Sequence, residues 1–227
     1  MTSIVPIFGT PNVDELDGTN GPDSIFGLEG GDTLRGKGGN DTLFGGPGSD
    51  VINDFNGNNW IFAGQGDDDV RGSSGGDVIF GDIGNDFLNG NSGADTVFGN
   101  SGQDIIDAGA GADSIYGGQG NDSLFADDGN DLLFGDAGND TYTGWFGNDQ
   151  FVIGPGAGTD TITDYGRGAD SILLQGGITV ADLDFVEDNV SGGSDLDVSI
   201  VLRSTGETLA VVSDTSVEAL VIEPLII

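Results

Sequence analysis

Apolar side chains recur along this chain at a fixed interval of nine residues. From Ile25 the column runs through Leu34, Leu43, Ile52, Ile61, Val70, Ile79, Leu88, Val97, Ile106, Ile115, Leu124, Leu133 and Tyr142 to Phe151. Two residues before each stands a polar partner: Asp23, Asp32, Asp41, Asp50, Asn59, Asp68, Asp77, Asp86, Asp95, Asp104, Asp113, Asp122, Asp131, Asp140 and Asp149. Asn59 is the one departure from aspartate in fifteen registers, and glycine lies two residues ahead of every one of them, from Gly21 to Gly147. A period of nine fits neither a helix nor a long strand, but it fits a unit that repeats in space. Each unit reads as a six-residue glycine-rich turn, such as Gly117–Asp122, followed by a three-residue strand, Ser123-Leu124-Phe125, whose middle side chain faces inward. So short a strand buries nothing by itself, so the units are expected to coil and stack with strands about 4.8 Å apart, forming a parallel β-solenoid. Asn12, Asp14 and Leu16 form a partial sixteenth register suited to an N-terminal cap.

Composition agrees with this and narrows the chemistry. The 227 residues include 44 Gly, too many for a helical domain, since each interior glycine costs about 1 kcal/mol of helix. There is no Cys and no His, which removes disulfides, His-zinc sites, Ser-His-Asp triads and cysteine nucleophiles. Five Lys and Arg stand against 39 Asp and Glu, a formal charge of −34, so neither nucleic acid nor an anionic membrane is an expected partner. The charge selects cations. No run is long and apolar enough for a transmembrane helix, and Met1–Pro11 lacks the basic and apolar regions of a cleavable signal.

The nonapeptides Gly45–Asn53 and Gly117–Phe125 resemble the G-G-x-G-x-D-x-U-x repeat of RTX, or hemolysin-type, calcium-binding proteins, and the resemblance extends over residues 14 to about 153. It implies an all-β, right-handed parallel β-roll, a two-sheet solenoid with two nonapeptides per coil, in which Ca²⁺ sits between successive turns held by aspartates and turn carbonyls. On that basis three regions are expected: an N-terminal cap with a degenerate repeat (1–20), the repeat β-roll (21–153) and a C-terminal β-rich cap (154–227).

With two nonapeptides per coil, Asp14, Asp32, Asp50, Asp68, Asp86, Asp104, Asp122 and Asp140 stack in one row, and Asp23, Asp41, Asn59, Asp77, Asp95, Asp113, Asp131 and Asp149 in the other. Two unit charges about 4.8 Å apart repel by roughly 0.9 kcal/mol in water and about 3.5 kcal/mol at an effective dielectric of 20. Summed along two rows, this exceeds the stability of a whole domain, typically roughly 5 to 15 kcal/mol. The metal-free chain is therefore not expected to fold. Ca²⁺ suits a flexible all-oxygen site better than Mg²⁺. Rows of eight leave fourteen gaps, two of them involving Asn59, so about 12 to 14 ions are expected, with the Asn59 amide oxygen a weaker ligand. The acids off the repeat phase, Asp54, Asp67, Asp69, Asp82, Asp107, Asp127, Asp128 and Asp136, are expected on the solvated surface.

A second stripe has twice the period. Phe26, Phe44, Phe62, Phe80, Phe98, Tyr116 and Phe134 recur in every second nonapeptide on one outer face, where the other face carries Arg35, Asn53, Arg71 and Asn89. Such a ladder is open to three readings: stacking that half-buries the rings, cover by the C-terminal segment, or pairing with another copy or partner.

Past Phe151 the glycine phase dissolves into strand-like runs at 171–174, 183–186, 196–202, 208–212 and 219–222. Asp160 and Asp170 keep a Gly-x-Asp-x-Ile signature at a spacing of ten. This segment is expected to cap the last coil, and the resemblance gives it a second role as a type I secretion signal ending in Val221–Ile227, from a Gram-negative-type bacterium. The expected function is a secreted or cell-surface, non-enzymatic protein that folds on binding calcium and self-assembles through the aromatic face. Its alternatives are a polysaccharide-binding or adhesin-type module, or a β-roll accompanying an exported enzyme.

Overall fold

A computed structural model describes residues 6–188, 197–213, 215 and 219–224. Alternate nonapeptides fall into two facing parallel sheets, because the single inward side chain of each unit has to meet one from the opposite side. Ile25 pairs with Leu43 and Leu43 with Ile61 in the first sheet; Leu34 pairs with Ile52 and Ile52 with Val70 in the second. One coil therefore takes two nonapeptides. All of the inward column from Ile25 to Phe151 is fully buried. Each such side chain contributes roughly 1.5 to 3 kcal/mol, so the core is a thin double row that grows only by adding coils. The described residues contain no α-helix, and Val180–Asp182 forms a 3₁₀ turn.

The second sheet keeps the expected three-residue strands, as in Thr33–Arg35, Val51–Asn53 and Asp69–Arg71. The first sheet differs. Its central strands, among them Val78–Ile83, Thr96–Ser101 and Ser114–Gln119, run to six residues. Pairing skips one residue after Phe98↔Tyr116 and resumes at Asn100↔Gly118. The residue at the point of resumption has a left-handed backbone, and the first sheet supplies Gly46, Gly64, Asp82, Asn100, Gly118 and Asp136 there, types that tolerate it. In that column of the second sheet Lys37, Asn91, Gly109, Asp127 and Trp145 are left-handed but Phe55 and Ser73 are not, and pairing returns only as the bridges Ser74–Ser92–Ala110 and the short strands Ala110–Gly111, Asp128–Gly129 and Phe146–Gly147.

Both long sheets continue beyond residue 153. The coils lengthen so that Tyr142 pairs with Ile162 and Phe151 with Ile172, and the chain then leaves and returns, placing Val212 beside Ile162 and Ile222 beside Ile172. In the excursion, Leu183–Asp188 and Asp197–Leu202 pair antiparallel and join Glu207–Val212, ending the second sheet. Arg203 ties this cap by donating to Asp184 Oδ1 and to the carbonyls of Ala181 and Leu183. The runs expected at 171–174, 183–186 and 208–212 are strands. The run expected at 219–222 is instead a strand at Ile222–Pro224, and the carbonyl of Val221, just before it, accepts from Ile172 N at 2.8 Å. Leu196 and Leu225–Ile227 lie outside the described residues.

The aromatic residues stack on one another along the first sheet. Successive rings from Phe26 to Phe134 lie 4.8 to 5.0 Å apart, nearly parallel, and Phe8 adds a further ring at 4.9 Å. The strand spacing imposes this distance. Each ring is half-buried by its neighbours.

Close coil stacking also sets which glycines are indispensable. Gly102 has φ of +145°, and a Cβ there would collide with the carbonyl of Gly84 in the preceding coil, whereas a Cβ on Gly38 meets nothing within 4 Å. Gly102→Ala is expected to cost about 2 kcal/mol or more, and Gly38→Ala to stay within about 0.5 kcal/mol, read by denaturant unfolding at fixed calcium. Equal effects at the two positions would contradict this packing.

Candidate metal centre

The solenoid brings the register residues together as two continuous rows, and each aspartate divides its oxygens between two tasks. Oδ1 accepts the backbone N–H of the register residue one coil earlier. Asp32 serves Asp14 at 2.8 Å, Asp50 serves Asp32 at 2.7 Å, Asp95 serves Asp77 at 2.7 Å and Asp149 serves Asp131 at 3.1 Å. This bond crosses between coils at the end of each turn, where the ladder hydrogen bonds have not yet begun.

Oδ2 turns toward the first residue of its own turn, five positions back. A Cβ on Gly27 would lie 2.5 Å from Asp32 Oδ2 and 2.5 Å from the carbonyl oxygen of Gly45 on the next coil. Glycine there leaves a cradle in which a carboxylate oxygen and a main-chain oxygen converge. No hydrogen-bond donor reaches Oδ2 of Asp32, Asp41, Asp50, Asp68, Asp86, Asp95, Asp104, Asp113, Asp122, Asp131 or Asp140, although each of these residues is 3% exposed or less. A buried anionic oxygen without a donor is costly, and a set this regular needs a cation. The chain does not supply it. Among the described residues the ion pairs of Arg35, Lys37, Arg71 and Arg203 go to Glu15, Asp17, Asp69 and Asp184, all off the rows, and Arg167 lies over the Trp145 ring.

Burial raises the carboxyls of Asp50, Asp104 and Asp149 to about 6 and those of Asp68, Asp86, Asp95, Asp131 and Asp140 to about 7. The backbone N–H opposes this rise, and the neighbouring aspartates of the row add to it. Hard oxygen donors, an unsatisfied charge and room beside a glycine fit Ca²⁺. Among the described residues no three acidic side chains form one cluster, so each site would draw on one or two carboxylates and complete its shell with turn carbonyls.

The rows are not uniform. Oδ2 of Asp14 accepts from Thr10 N and Oγ1, that of Asp23 from Thr19 N and Oγ1, and that of Asp77 from Ser73 N. The rows also run further than the repeats suggest: Asp160 accepts from Asp140 N at 3.1 Å and Asp170 from Asp149 N at 3.0 Å, both buried. Their Gly-x-Asp-x-Ile signature was the available signal, obscured by the longer coils. Asp160 Oδ2 is satisfied by the Tyr142 hydroxyl at 3.2 Å, and Asp170 Oδ2 by Gly166 N at 2.7 Å.

The off-phase acids need a correction. Asp67, Asp128 and Asp136 are exposed as expected, but Asp69, Asp82, Asp107 and Asp127 are half-buried and Asp54 is only 4% exposed. Burial and the nearby Asp41 push the Asp54 carboxyl up to about 7. Asp54 stands in a column that glycine or alanine otherwise fills from Gly27 to Gly144, and its own turn folds it inward.

A sequence profile of the RTX calcium-binding nonapeptide repeat (4 copies) matches at residues 8–43, 27–53, 36–70, 44–79, 53–88, 71–106, 80–115, 89–124 and 116–151. No curated protein matches the chain. Solved structures similar to it include the AlgE6R3 subunit of the Azotobacter vinelandii mannuronan C5-epimerase, at 23% identity over 70% of this chain and 78% of that one, with a TM-score of 0.28. The extracellular lipase LipA of Serratia marcescens is similar at 14% identity over 97% of this chain and 39% of that one, with a TM-score of 0.24. Overlapping matches from residue 8 to residue 151, on a solenoid whose aspartate rows coincide with them, mean that this chain belongs to the RTX calcium-binding nonapeptide-repeat family.

Proposed function

We propose that this chain is a secreted, non-catalytic protein whose chemistry is calcium-coupled folding, with the register aspartates as ligands. The observation that carries the proposal is the set of buried Oδ2 atoms without donors, repeating coil by coil beside a glycine cradle. Low calcium leaves the rows self-repelling and the chain open. Millimolar calcium, the range of weak extracellular modules, closes the coils together. Export in the open state and folding outside would follow from one set of residues, and a type I route through the C-terminal region is consistent with it. No helix among the described residues is long and apolar enough to cross a membrane.

Protons and calcium compete for the same oxygens. In the open chain these carboxyls titrate near 3.8, and in the coils near 6 to 7, so their protonated form favours the fold fully below about pH 4 and that contribution is lost as pH rises through 6 to 7. Calcium binds the deprotonated form. With chelator present, the β-sheet circular dichroism signal is expected to grow on acidification from pH 7.5 to about 4.5. In calcium the fold is expected at pH 7, with a titration midpoint that moves to higher calcium as pH falls below about 6. A full β-signal in chelator at pH 7.5 would overturn the proposal.

The half-exposed aromatic ladder, extended by Phe8 at 60% exposure and flanked by Trp60 at 51%, is the face we assign to self-association. Replacing Phe80 and Phe98 together by Asp is expected to shift light scattering in calcium toward monomer while leaving the β-signal in place. An unchanged monomer for both proteins removes this role.

A further inference from the structure

We propose that the second aspartate row carries a displaced site followed at once by a closed gap. Asp41 and Asp54 together hold a divalent cation between the coils of Asp41 and Asn59, whereas the next gap, between Asn59 and Asp77, holds none. This rests on the calcium reading above and identifies the residues that admit and exclude an ion.

Asn59 removes one carboxylate from the row, and Asp54 restores one five residues earlier. Asp54 Oδ1 accepts from Phe55 N at 2.6 Å, which fixes the side chain inside the turn. Its Oδ2 converges with Asp41 Oδ2 on the cradle beside Gly36; the Asp41 oxygen lies 2.6 Å from where a Gly36 Cβ would be. At the matching place one register earlier the converging partner is the carbonyl of Gly45. A charge therefore replaces a dipole next to the register that lost its charge. Asp41 is 1% exposed and Asp54 4%, and no donor reaches either Oδ2. Two buried carboxylate oxygens aimed into one cradle call for a hard divalent ion.

The following gap is built the opposite way. Asn59 Oδ1 accepts from Asp41 N at 2.9 Å, keeping the bond between coils, so its amide nitrogen occupies the place of Oδ2 and donates to Ser73 Oγ at 3.1 Å. Ser73, 4% exposed, donates its hydroxyl to the Gly57 carbonyl at 3.0 Å, and its backbone N–H donates at 2.8 Å to Asp77 Oδ2, which faces the following gap beside Gly72 and the Gly90 carbonyl. Asp77 Oδ1 is taken by Asn59 N at 2.7 Å. Donors fill the site where an ion would need acceptors. Thr19 closes Asp23 by the same device, with N at 2.6 Å and Oγ1 at 2.9 Å. A Ser or Thr four residues before the register aspartate thus marks a register closed by hydrogen bonds.

Native mass spectrometry of the full chain refolded in calcium counts bound ions one by one. Asp54→Asn, which keeps the side chain in the cradle and removes its charge, is expected to bind one ion fewer than the wild type. Asn59→Asp combined with Asp54→Gly and Ser73→Gly, which rebuilds the regular register on both coils, is expected to bind one more, and it keeps the test decisive should Asp54→Asn fail to fold. Either folded variant with the wild-type count overturns the inference. A wild type that binds no calcium overturns the calcium reading itself, whereas a calcium-loaded wild type with both variants unchanged overturns only the assignment of these two gaps.

Discussion

Asp32 accepts a backbone N–H of the previous coil through Oδ1 and leaves Oδ2 buried without a donor, and this asymmetry, repeated along two rows, governs the rest of the molecule. The first oxygen fixes register between coils where strand pairing is interrupted. The second turns every added coil into an added negative charge in a place water does not reach. A stack of such coils stabilises itself through its thin apolar core and opposes itself through its rows, and in the proposed function cations from outside set the balance.

The glycines and the aromatic ladder follow from the same spacing. A strand separation of about 4.8 Å lets planar rings stack face to face at 4.8 to 5.0 Å from Phe26 to Phe134, and it brings carbonyls so near the turns that a Cβ at Gly102 has no room. The last coils depart from this economy. Tyr142 replaces the small aliphatic core residue, and its hydroxyl satisfies Asp160, so the row ends on a hydrogen bond before the antiparallel cap covers the sheet edge.

Most of the fold was legible because one period carried three signals at once: glycine for the turn, aspartate for the row and an aliphatic residue for the core. The register rows from Asp14 to Asp149 lie where that period puts them. What escaped was set by contacts between coils, which a linear reading of one unit does not contain. Asp54 reads as a surface acid because it is out of phase, yet its turn folds it against Asp41. Ser73 and Thr19 carry no signal in the nonapeptide pattern, yet they donate to Oδ2 of Asp77 and Asp23. Asp160 and Asp170 kept their local signature but lost the spacing of nine, since the coils that carry them are longer. Asp82, Asn100 and Asp136 take a left-handed backbone at the corners of the first sheet without being glycine, a property read more readily from φ than from sequence.

The most direct test of the account is anomalous diffraction at long wavelength from crystals of the calcium-refolded chain. The account expects two lines of calcium peaks beside the donorless Oδ2 atoms, from Asp32 to Asp140 in one row and from Asp41 to Asp131 in the other, the second broken at Asn59 and Asp77, which offer no donorless Oδ2. Folded coils with no calcium along the rows would contradict it.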